Sequence, residues 1–298
     1  MLKHTDIQLT LALLGVLLFA GSASAQSADP LLVNVEWLAQ HLNDPNLVVL
    51  HVEGEREFAT AHIPGAHLIS EDDVARPHDM AKGELMLELP PPEELRATFQ
   101  ARGVSDDSHI VVYAGQDTAA QSATRIVLTL DYLGLGERTS LLNGGLAAWQ
   151  RAGRPVAKGA ADSRQGRLSA TATKPVIADA EFVKSLRQRP QYKLVDARAP
   201  VYYKGIEPTF GKSGHIPGAI NIPFSSMVDN LQLIDHDRLA TVFHDAGVGA
   251  DDTIVVYCHV GQQATLVALA ARLLGHPVLL YDGAFQDWAT ANRGPVEK

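Results

Sequence analysis

The sequence predicts an α/β protein of two tandem domains, each a mostly parallel sheet flanked by helices. Three observations carry that class. The chain is 298 residues long, which suits about two domains. Its motifs occur twice in the same order, the mark of a duplicated unit. Within each half, short apolar runs of strand character alternate with helical patterns, as expected of parallel strands covered on both faces.

The repeats are specific. "AHIPGAHLIS" at 61–70 returns as "GHIPGAINIP" at 214–223, "GVSDDSHIVVYAG" at 103–115 as "GVGADDTIVVYCH" at 247–259, and "LNGGLAAW" at 142–149 as "YDGAFQDW" at 281–288. They divide the chain into a first domain at 28–152 and a second at 176–298. The Gly-, Ala- and Ser-rich stretch between them, without periodicity, reads as a linker over 153–175. Ahead of both, "IQLTLALLGVLLFAGSASA" has an apolar core of secretory length, preceded by Lys3 and ending in Ala23-Ser24-Ala25. Residues 1–25 are therefore expected to be a signal peptide cleaved before Gln26, which makes the protein exported, to the periplasm, and not membrane-bound after cleavage.

Strands are expected at Val48 to His51, His109 to Tyr113, Lys193 to Ala197 and Thr253 to Tyr257, and helices over "PPEELRATFQARG" and "HDRLATVFHDAG". In "ATLVALAARLLG", Leu266, Leu269, Ala270, Leu273 and Leu274 keep helical spacing, and Gly275 supplies a stop. This helix is expected to be largely buried.

Composition narrows the function. A net charge of −9 with no basic run disfavours nucleic acid and anionic membrane surfaces as partners. The twelve histidines show no Cys/His ligand spacing, so no metal is expected. His62 and His67 flank a Pro-Gly turn and read as structural. Cys258 is the single cysteine and has no partner for an internal disulfide. It is either a buried apolar filler or a thiol kept for reactivity.

Its place favours chemistry. Cys258 stands where a β-branched strand gives way to a helix, at the carboxyl end of a parallel strand, where ligands gather in such sheets. A thiolate is the nucleophile, and a loop that curls into a helix start stabilises it with inward N–H groups and the helix dipole. Cys258, His259, Val260, Gly261, Gln262 and Gln263 fit that cradle, with Gly261 suited to a positive φ. His259 offers some positive charge or is simply a solvent-facing loop histidine. The counterpart in the first half is Ala114, and the stop glycine follows it by 20 positions rather than 17. The first half therefore lacks both the sulfur and the loop length.

The Cys-loop, the two "HIPGA" turns, "LVDAR" at 194–198 and the stretch ending in Trp288 together resemble the rhodanese family of sulfurtransferases in its tandem form, from about Leu31 to about Val296. The resemblance implies that Cys258 attacks the outer sulfur of a donor such as thiosulfate or 3-mercaptopyruvate and carries it as a persulfide. A thiophilic acceptor, cyanide or a thiol, then removes it. It further implies that no organic cofactor is needed, that the partners are small sulfur donors and acceptors, with a protein acceptor unspecified, and that the first domain is an inactive structural partner whose surface helps close the site between the domains. Thiosulfate-using members often carry an arginine four residues after that of "DAR"; here the position holds Tyr202, with Lys204 nearby. Donor binding is thus expected from the loop N–H groups with Tyr202, Lys204 and His259. Asp196 and Arg198 are expected to form a structural ion pair. A phosphatase of related fold needs a loop ending in arginine to clamp phosphoryl oxygens, and position 264 is alanine. The remaining alternative is a sulfur carrier or binding module that works only with a partner protein.

Overall fold

The computed structural model describes residues 31–160, 164–170 and 172–298. The expected signal segment, residues 1–25, lies outside the described residues. The first sheet contains β1 (Leu32–Val33), β2 (Leu47–Val52), β3 (His67–Ile69), β4 (His109–Ala114) and β5 (Thr139–Leu142), in the order β1-β5-β4-β2-β3. The second contains β6 (Ile177–Ala178), β7 (Tyr192–Asp196), β8 (Ile220–Asn221), β11 (Thr253–Tyr257) and β12 (Val278–Tyr281), in the order β6-β12-β11-β7-β8. Every pairing in both sheets is parallel. The duplication read in the sequence is a duplication of topology.

The central strands explain themselves. All six residues of β2 are buried, as are Ile254 through Tyr257 of β11, because helices cover both faces. The first domain supplies α1 (Val35–His41), α2 (Glu55–Thr60), α3 (Pro92–Gln100), α4 (Ala120–Tyr132) and α5 (Gly145–Arg151). The second supplies α6 (Ala180–Ser185), α7 (Pro200–Tyr203), α8 (His236–Asp245), α9 (Gln263–Leu273) and α10 (Ala284–Thr290). A third sheet, of two strands, was not legible in the sequence. β9 (Val228–Asp229) and β10 (Gln232–Leu233) form an antiparallel hairpin. Asn230 and Leu231 at its tip both take positive φ, 49° and 67°, as a tight two-residue turn requires.

The domains share one core. Ser122 through Asp131 of α4 and Ala264 through Ala271 of α9 are all buried, which places these two helices inside the molecule against each other. A single apolar cluster runs from Val48 and Leu50 of the first sheet to Val256 and Leu280 of the second. Thr124 and Thr265, at matching positions of the two helices, meet hydroxyl to hydroxyl at 2.7 Å. Two further bonds clasp the halves at matching loops. The Leu233 N–H donates to Asn143 Oδ1 at 2.9 Å, and the Leu89 N–H donates to Asp282 Oδ2 at 3.0 Å. The connecting segment lies along the first domain, where Gly166 donates to the Gln100 carbonyl and Asp106 to that of Arg167.

Candidate active site

β11 runs between β7 and β12 in the middle of the second sheet and delivers Cys258 to the strand end with no exposed surface. The chain then curls through a short loop into α9. The start of α10 holds the outer side of this curl: the Phe285 N–H bonds the Cys258 carbonyl and the Gln286 N–H bonds the His259 carbonyl, both at 3.0 Å. Gly261 takes φ +86°, the left-handed region that a side chain resists. The N–H groups of Ala264, Val260 and Gly261 converge on the thiol. The side chain of Gln262, at the helix cap, makes no capping bond, so the first-turn N–H of Ala264 is left to the sulfur.

Burial is the largest influence on the Cys258 thiol and pushes its pKa above the ordinary value; the three N–H groups pull it down, and the Asp196 carboxylate adds to the rise. The site is thus a closed, N–H-lined cradle with a thiol that ionises reluctantly at rest and is served by donors once negative charge develops.

Asp196 ends β7 beside this loop. Arg198 meets it through Nη2 at 2.6 Å and through Nε at 3.0 and 3.1 Å, and both residues are buried. The guanidinium also lies 3.8 Å over the Phe285 ring, and the Tyr257 hydroxyl donates to Asp196 Oδ2 at 2.8 Å. The expected ion pair is present, and Arg198 Nη2 also donates to the Gly214 carbonyl at 2.8 Å.

The structure brings some of the expected binding residues together and separates others. The Tyr202 ring, on α7, meets His259 edge to face at 4.7 Å. His259 corrects both sequence expectations. It is half-buried rather than solvent-facing, and burial, followed by the nearby Arg198 charge, lowers its pKa to about 4, so it is neutral at neutral pH. Lys204 caps α7 and is exposed. Val260 and Gly261 serve the sulfur through their N–H groups, whereas Gln262 turns its side chain away: its Nε2 donates to Glu71 Oε2 at 2.7 Å and to Ser122 Oγ at 3.2 Å. Gln263 opens α9, with its buried Oε1 unbonded. Among the described residues no group of three or more His, Cys, Asp or Glu side chains is placed to share a metal ion.

Sequence reasoning expected the first domain's surface to help close the site but missed the residues that reach it. Glu71 and Ser122 receive Gln262, and Arg125 of α4 reaches the loop itself, donating from Nη1 to the Gly261 carbonyl at 3.3 Å and to Asp282 Oδ1 at 2.7 Å. The one available signal was a lone arginine inside the otherwise buried pattern "ATRIVLTL".

The corresponding loop of the first domain is filled from within. Glu53, at the register position that Arg198 holds in the second domain, accepts from the Asp117 N–H at 3.0 Å and from the Thr118 hydroxyl at 2.5 Å. A carboxylate of the chain's own occupies the donors of a loop whose strand ends in Ala114.

A family model described as the rhodanese-like domain matches residues 34–152 and 179–291. The chain belongs to the family of tandem rhodanese-like domains. Over 284 residues it is 31% identical to the 3-mercaptopyruvate sulfurtransferase of Escherichia coli strain K12, covering 89% of this chain and 97% of that protein. Over 289 residues it is 30% identical to the thiosulfate sulfurtransferase of Rattus norvegicus, covering 89% and 93%. The crystal structure of the 3-mercaptopyruvate sulfotransferase SseA from Escherichia coli superposes with a TM-score of 0.75 at 30% identity, covering 85% of this chain and 98% of that one. An anaerobic ergothioneine biosynthesis enzyme from Chlorobium limicola shares the fold, with a TM-score of 0.77 at 20% identity, over 90% of this chain and 70% of that one.

Proposed function

We propose that this sulfurtransferase moves sulfane sulfur from a small donor to a thiophilic acceptor through a persulfide on Cys258. The observation that carries the reading is the convergence of three backbone N–H groups on the chain's one cysteine, at the end of the central strand β11. With thiosulfate as donor, the Cys258 thiolate attacks the outer sulfur, the S–S bond breaks and sulfite leaves with the electron pair. Cyanide or an acceptor thiolate then attacks the outer sulfur of the persulfide and returns Cys258 as thiolate. Splitting the transfer in two lets the same donors hold the thiolate, the persulfide and the departing anion.

The relatives named for 3-mercaptopyruvate and for thiosulfate support both donors. With tyrosine at 202, a neutral His259 and an exposed Lys204, anion binding rests mainly on the loop N–H groups. Tyr202 adds a ring packed edge to face with His259. The apolar segment over residues 7–25 supports export to the periplasm.

The test is to incubate the protein separately with thiosulfate and 3-mercaptopyruvate, weigh the intact chain, and titrate cyanide for thiocyanate. The expected result is a gain of one sulfur that cyanide discharges with repeated turnover, and none in Cys258→Ser. Cys258→Ser retaining full transfer would overturn the reading. A reactive thiol that takes sulfur from neither donor would replace it with the partner-dependent carrier.

A further inference from the structure

Arg125 is a buried cation, 1% exposed, that the reaction steps leave without a role. It stands on the first domain and its guanidinium ends in the second. Nη1 bonds Asp282 Oδ1 at 2.7 Å and the Gly261 carbonyl at 3.3 Å, and Nη2 donates to the Leu87 carbonyl. The loop is packed flush against this group: a methyl on Gly261 would lie 2.9 Å from the Asp282 carbonyl oxygen and 3.3 Å from Arg125 Nη1.

A trans peptide points its carbonyl and its N–H in opposite directions. Holding the Gly261 carbonyl on Arg125 therefore turns the following N–H, that of Gln262, to the opposite side of the loop, and fixes the peptide plane between the donors of Gly261 and Ala264. Counting back from the stop glycines Gly134 and Gly275, the residue of α9 that matches Arg125 is Leu266, fully buried and unable to donate. Of these two matched positions only the one on α4 carries a charged donor, and one of its bonds goes to the cysteine-bearing loop.

We infer that Arg125 is a positioning residue of the sulfur-transfer site, holding the Gly261–Gln262 peptide so that the loop N–H groups stay aimed at the sulfur of Cys258; the inference rests on the persulfide reading given above. The first domain is then a working part of the site rather than only a support. A purely structural Arg125 would tie the domains together and leave the thiol untouched.

The experiment uses the full chain with Arg125→Met, which removes every donor, and Arg125→Lys, whose single ammonium keeps a charge for Asp282 but cannot also reach Gly261 and Leu87. Asn143→Ala, which cuts the matching clasp at the other loop, controls for a loosened interface. Ionisation of the one thiol is followed by its far-ultraviolet thiolate absorbance, as a difference from the same background carrying Cys258→Ser, beside thermal stability and persulfide loading. For Arg125→Met the thiol should titrate about one pH unit higher and load sulfur roughly tenfold more slowly at neutral pH, the size of one weakened bond to an ion. Arg125→Lys should move both in the same direction by less, and it carries the test if the methionine variant does not fold. Asn143→Ala should lower stability and leave the titration where it was. An unchanged titration in both Arg125 variants, or an equal shift in Asn143→Ala, would overturn the inference. If the unsubstituted chain takes up no sulfur, the persulfide reading falls separately, and the titration still decides whether Arg125 governs the loop.

Discussion

Restoring a cysteine to the first domain should not restore a site there. The perturbation is Ala114→Cys in a chain that also carries Cys258→Ser, so that any sulfur gained must sit at position 114. At the second site the thiol meets three N–H groups. In the first domain the loop donors at Asp117 and Thr118 are already taken by Glu53, whose Oε2 would lie 2.3 Å from a methyl on Gly115, the residue next to the new thiol. A carboxylate within ~4–6 Å acts directly on an ionising neighbour. At an effective dielectric of about 20 it costs a thiolate about 3 kcal/mol, or about two pKa units. Intact-mass measurement after incubation with thiosulfate or 3-mercaptopyruvate should therefore show no added sulfur. Adding Glu53→Gln removes the charge but keeps an amide on the loop donors, so loading should stay far below that of Cys258. A chain that gained one sulfur at position 114 with Glu53 in place would sink the reasoning.

Asp196→Asn leaves Arg198 buried without its carboxylate, which should cost about 3–5 kcal/mol in urea denaturation; a loss under about 1 kcal/mol would mean the pair contributes little. Because burial raises the Cys258 pKa and the thiolate is the nucleophile, persulfide loading should rise about tenfold per pH unit through neutrality. A loading rate already at its plateau at neutral pH would contradict this. His51 is buried and neutral, its pKa lowered from 6.5 to about 3 by burial and then by His62. Between those values the unfolded chain binds the extra proton, so stability present above pH 6.5 is lost on acidification by about 1.4 kcal/mol per unit. His51→Asn should flatten that slope, and an unchanged slope would assign acid sensitivity elsewhere.

What could be read from the sequence was what lies close together along it. The strand, the cysteine, the glycine and the helix of the loop fall within 253–275, and the "LVDAR" run places Asp196 and Arg198 two residues apart, so both the cradle and the ion pair were legible. The hairpin at β9 and β10 was not, because its strands are two residues each and show no alternation to detect. Arg125 and Glu71 were not, since their partners Gly261 and Gln262 lie 136 and 191 positions away, and only the packing of α4 on α9 brings them within reach. His259 failed for a related reason: polarity suggested solvent, whereas Tyr202 and the sheet end enclose it.

The hydroxyl contact between Thr124 and Thr265 has the form of a two-fold axis in an isologous dimer, where residue i of one copy meets the same residue of the other. Two separate copies of a single domain would have to place identical side chains on both sides of such an axis. An arginine one position along would then be buried twice, with two guanidiniums competing for the space beside the axis. Joining the copies in one chain lifts that constraint. One helix carries Arg125 and the other Leu266, so a contact of symmetric form holds a directional arrangement, in which one half gives a donor and the loop of the other half accepts it.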